Sequence, residues 1–90
     1  MGYTVRLTPR AERTLRGLPR DIARRIKETL LLLAHDPSHH PHLKKLKGSS
    51  HSPLYSLRMG EYRIILTIEH EIMIIFVIEI GHRSTIYRSY

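Results

Sequence analysis

The sequence has no cysteine, no tryptophan and a single phenylalanine. Without thiols it can build no disulfide framework, no thiolate metal site and no cysteine nucleophile. Long apolar runs are missing too: the longest, 29–34 and 72–78, fall far short of a membrane span. The first ten residues lack the apolar core of a secretory signal, so a cytoplasmic protein without membrane association is expected. No glycine-rich phosphate loop, nucleotide-cofactor motif or Ser–His–Asp arrangement is present, and no small-molecule cofactor is expected. Acidic residues are scarce, eight Asp+Glu against fifteen Lys+Arg, for a net charge of +7.

That excess is uneven. Residues 1–50 hold eleven basic and four acidic residues, whereas 51–90 hold four of each. A strongly basic surface is the electrostatic signature of a polyanion partner such as nucleic acid, a ribosome or an acidic protein. Ninety residues suffice for one domain, 1–90, with a thin core. A hydrophobic content of 41% with 26% charged residues fits a globular chain rather than a disordered one.

Tyr3, Val5 and Leu7 alternate with Thr4 and Arg6, which predicts a short strand. Thr8-Pro9 is a helix start, with Thr as N-cap and Pro at the first helical position, and Gly17 ends that helix. Pro19 opens a second helix with an apolar stripe of Ile22, Ile26, Leu30 and Leu33; Leu31, Leu32 and Ala34 widen it, as if that end were covered on more than one side. Asp36-Pro37 stops it. The histidine-rich stretch 37–53 reads as a loop with a short ordered piece around Leu43 and Leu46. Four strands then follow as a meander, about 54–59, 62–68, 72–80 and 84–88. The fold class is α+β, two N-terminal helices on one face of a small antiparallel sheet, in the order β-α-α-β-β-β-β.

A two-residue turn at Gly60-Glu61 pairs Arg58 with Arg63 and Leu57 with Ile64. Even-numbered residues of both long strands, Tyr62 to Ile68 and Ile72 to Ile80, form the more apolar sets and are expected to face the helices. The next turn is then odd in length, Glu69-His70-Glu71. This leaves Arg58 and Arg63 opposed on the uncovered face, a like-charge pair that disfavours folding and suits a phosphate platform. Ile65, Met73, Ile75 and Val77 would form an apolar docking strip beside them. After the last long strand, Gly81-His82-Arg83 and Tyr87-Arg88 interleave cations with a stacking ring, as single-stranded RNA recognition requires.

Tyr3-x-Val5, Thr8-Pro9-x-Ala11, Leu15-x-x-Leu18-Pro19, Asp36-Pro37, Leu46-Lys47-Gly48, Leu57-Arg58-x-Gly60-x-Tyr62-Arg63 and Gly81-His82-Arg83-x-x-x-Tyr87 occur in that order along nearly the whole chain. Together they resemble the RelE/ParE toxin superfamily, and the GHR…Y ending is more like its RelE branch. The resemblance implies a ribosome-dependent mRNA endoribonuclease that cuts in the A site. The 2′-hydroxyl would attack the adjacent phosphate, giving a 2′,3′-cyclic phosphate and a 5′-hydroxyl. It implies catalytic roles for Arg63 at the scissile phosphate, Arg83 at the leaving oxygen, Tyr87 on the nucleotide and Arg58 as a further cation. It also implies inhibition by a cognate RelB-like antitoxin; because Ile65, Ile75 and Val77 are expected to share a face with Arg58 and Arg63, an acidic, amphipathic segment of that partner is expected to lie over them.

One position departs from the family pattern. Where some members carry a lysine suited to act as general base, this chain has Ser56; His82 is a candidate for that role. Lys44, Lys45 and Lys47, with His82 and Arg88, are candidate RNA contacts. The histidines at 35, 39, 40, 42 and 51 do not match a structural zinc spacing, and no metal site is expected. Two other functions compete: a ParE-like inhibitor of DNA gyrase, and a non-catalytic RNA- or ribosome-binding module.

Overall fold

The computed structural model of the chain describes residues 2–46 and 53–86, the side chain of His39 excepted. Strand β1 (Thr4–Leu7) leads into helix α1 (Pro9–Gly17) and helix α2 (Arg20–His35). A short 3-10 turn follows, then strands β2 (Leu43–Lys45), β3 (Leu54–Met59), β4 (Tyr62–Glu69) and β5 (Ile74–His82). These form one five-stranded sheet in the order β1-β5-β4-β3-β2. It is mixed rather than wholly antiparallel, because β1 runs parallel to β5.

Local chemistry sets the helix ends. Thr8 caps α1: its hydroxyl accepts the Ala11 N–H at 3.2 Å and donates to the Ile78 carbonyl at 2.7 Å. Helix α2 has no side-chain cap, and the Pro19 carbonyl accepts the Ala23 N–H at 2.9 Å instead. Ile26, Leu30, Leu33 and Ala34 of α2 and Ala11 and Leu15 of α1 pack on Leu57, Met59, Ile64, Leu66, Ile68, Ile75, Val77 and Ile80. Leu31 and Leu32 depart from the expected wide stripe. They are 62% and 66% exposed, because consecutive helical residues turn about 100° from one another and the sheet covers one side of α2.

The β3–β4 hairpin has the expected register, with Arg58 opposite Arg63, Leu57 opposite Ile64, and Gly60 at φ +58° in the turn. The β4–β5 hairpin does not. Ile65 pairs with Glu79 but Leu66 pairs with Val77, so Ile78 is an extra residue, a β-bulge. Beyond it the facing of β5 reverses, and Ile75 and Val77 point into the helix-covered core. The turn holds four residues, 70–73, not three, with Met73 at φ +55°. The expected apolar docking strip therefore does not exist as drawn. Of its members Ile65 alone stays on the arginine face, fully buried, and Met73 lies in the turn.

The strand expected at 84–88 is likewise absent among the described residues, where 83–86 form turns; Tyr87 and Arg88 lie outside them. The remaining strand is β2, which falls on the short ordered piece expected around Leu43 within the stretch otherwise read as a loop. A three-residue strand is too short to show a period, and its pairing to β3 fixes it.

Candidate phosphate-binding cleft

The face of the sheet turned away from the helices is built by register. Lys44 stands beside Ser56, Ser56 beside Ile65, Arg58 beside Arg63, and Arg63 beside Gly81. Directly paired residues of antiparallel strands project to the same side, so these side chains share one face. A Cβ on Gly81 would come within 3.1 Å of the Ile86 side chain, so a glycine is what lets the segment after β5 fold back onto this face. That segment carries Arg83. Its backbone N–H donates to the Glu61 carbonyl at 2.8 Å and its Nε donates to Glu61 Oε2 at 2.9 Å. Glu61 thus ties Arg83 to the β3–β4 turn.

Two clefts adjoin here, sharing His42, Arg58 and Arg63 in their walls. One, of ≈ 560 Å³, extends toward Lys44, Leu46 and Ser56 on the sheet. The other, of ≈ 530 Å³, extends toward Arg25 and Leu32 of α2 and toward Glu61 and Arg83. Five cationic side chains, Arg25, Lys44, Arg58, Arg63 and Arg83, thus line a shared concavity whose one lining carboxylate among the described residues is Glu61. Guanidinium groups converging from β3, β4 and the segment after β5 match the forked geometry of a phosphate.

Of the candidate residues read from the sequence, Arg58, Arg63, Arg83 and Lys44 line this concavity. Lys45 does not. Alternation along β2 turns it to the opposite face, into a separate hollow with Tyr55 and Ile68. His82 also faces away: it pairs with Tyr62, packs edge-on against that ring at 5.8 Å, and its Nδ1 shares a 2.8 Å hydrogen bond with Ser84. Ser56, at the family's lysine position, is 2% exposed. Lys47, Tyr87 and Arg88 lie outside the described residues.

Arg25, His40 and His42 are wall residues that sequence reasoning missed. Arg25 reads as part of a solvated helix face, and no local pattern says that the β3–β4 turn lies beside it. The Arg58 N–H donates to the His42 carbonyl at 3.1 Å, and His42 Nδ1 lies 3.5 Å from the Arg58 guanidinium. The His42 N–H donates to His40 Nδ1 at 3.2 Å, with the two rings 5.9 Å apart. Burial, and secondly the neighbouring His42, hold the His40 imidazole below its ordinary pKa of 6.5. Among the described residues no group of three His, Asp or Glu side chains is arranged to hold a metal ion.

A sequence model of the family described as the ParE toxin of type II toxin–antitoxin system, parDE, matches residues 5–87. Toxin RelG of Mycobacterium tuberculosis is 33% identical over 91 residues, covering 98% of this chain and 99% of the relative. The RelE–RelB complex of Pyrococcus horikoshii OT3 superposes with a TM-score of 0.81 at 26% identity, over 94% of this chain and 99% of the other. The toxin–antitoxin complex RelBE2 of M. tuberculosis gives a TM-score of 0.77 at 29% identity, over 93% and 94%.

Proposed function

Because this chain belongs to the RelE/ParE superfamily, as a type II toxin of the RelE kind, we propose that it cleaves messenger RNA on the ribosome. The observation that carries this reading is the convergence of Arg58, Arg63 and Arg83 on one concavity. Arg63, with Arg58 beside it, holds the scissile phosphate and neutralises the charge that grows on its oxygens as the 2′-oxygen attacks. Arg83 stabilises the departing 5′-oxygen. Its place beside Glu61 supplies the pre-orientation that such stabilisation needs. Lys44 and Arg25 extend the cationic track for flanking phosphates, and a RelB-like antitoxin is the cognate partner.

The test is to map 5′ ends on a translated message. Wild type is expected to give cuts phased with the codons. Arg63→Ala and Arg83→Ala each lower the cleavage rate by about 10²–10³, the range for one lost donor to a developing oxyanion. Equal cutting by wild type and the double variant would remove the assigned site. The match to a ParE description favours a second reading, in which the chain inhibits DNA gyrase. A supercoiling assay separates the two: the nuclease reading expects gyrase to be unaffected.

A further inference from the structure

Cleavage through the 2′-hydroxyl needs a group that takes the hydroxyl proton. The arginines cannot, because a guanidinium stays protonated. Ser56 is no base, and His82 is turned toward Tyr62 and Ser84. His42 is placed differently. Its carbonyl is bonded to the Arg58 N–H, its ring stands against the Arg58 guanidinium, and it forms part of the wall common to both clefts. A guanidinium offers hydrogens only, so the Nδ1 that faces it presents its lone pair and the ring hydrogen sits on Nε2.

From this juxtaposition we infer that His42 is the general base of the cleavage reaction; the inference rests on the nuclease reading above. A phosphate held by Arg58 and Arg63 brings the neighbouring ribose to the imidazole edge. As the Arg58 guanidinium turns from Nδ1 to the phosphate, the Nδ1 lone pair is released and takes the 2′-hydroxyl proton while that oxygen bonds to phosphorus. The bond from phosphorus to the 5′-oxygen breaks, and the leaving oxygen takes a proton from water. The imidazolium then returns its proton to solvent, so no co-reactant is consumed. The charged and titratable groups around the ring are Arg58 of β3, Arg63 of β4, Lys44 of β2, Arg25 of α2 and His40 in the same segment. The Glu61–Arg83 pair lies in the wall of the second cleft.

Single-turnover cleavage on programmed ribosomes, measured as a function of pH, tests this. Wild type is expected to cut faster as pH rises and then level off, the profile of a reaction that needs a deprotonated base. His42→Ala and His42→Gln should melt like wild type, cut about 10²-fold more slowly and lose the rising limb, and free imidazole should restore part of the His42→Ala rate. Variants that keep the wild-type rate and pH profile overturn the assignment. If Arg63→Ala is inactive in the same assay, the nuclease reading survives that failure. A wild-type protein that cuts nothing overturns both.

Discussion

Arg58 and Arg63 face each other across the β3–β4 hairpin, where like charges cost a sheet stability. Their cost is limited by exposure of Arg58 and by the proximity of Arg58 to His42. In the Arg83–Glu61 ion pair the side chains are 59% and 64% exposed, respectively, so its value to stability is at most about 1 kcal/mol, and its main effect is to orient Arg83. His40 adds a pH dependence. Its folded-state pKa is lowered by burial and then by His42, so the unfolded chain binds the proton more readily. The contribution of His40 to stability is therefore complete above about pH 6.5 and is lost as pH falls toward the folded-state value. Thermal melts of wild type and His40→Gln should converge in acid, with the wild type losing more on the way down.

At the scale of elements, the bulge at Ile78 is the decisive feature. It lets Ile80 on one side, and Val77 and Ile75 on the other, all reach the helix-facing core, while Glu79 stays on the arginine face opposite Ile65. Thr8 secures the bulge from outside. Its N–H donates to the Val77 carbonyl at 3.0 Å and its hydroxyl donates to the Ile78 carbonyl while capping α1. Thr8→Ala should cost about 1–2 kcal/mol in chemical denaturation, the sum of a lost cap and a lost hydrogen bond. Thr8→Ser, which keeps both, should cost much less.

For the molecule as a whole, a net charge of +7 and a concavity lined by five cations predict salt-sensitive association with RNA. If those five neutralise one phosphate each, affinity for a single strand should fall about 10²-fold between roughly 50 and 200 mM salt. Filter binding at several salt concentrations reads the slope, and replacing Arg25 or Lys44 by Ala should reduce it by about one phosphate's share. Among the described residues no helix is long and apolar enough to cross a membrane.

The sequence by itself determined α1, α2, the β3–β4 hairpin and the opposed arginines, because caps, prolines, helical periodicity and a two-residue turn are local signals that act within a few residues. It did not determine the facing of β5. Every residue from 72 to 78 is apolar, so alternation carries no information there, and one inserted residue reverses which set is inside. The parallel pairing of β1 with β5, the strand β2, and the meeting of Arg25, His42, Arg58, Arg63 and Arg83 were decided by tertiary structure. These groups come from five separate segments of chain, and their neighbourhood exists once the sheet has brought those segments together.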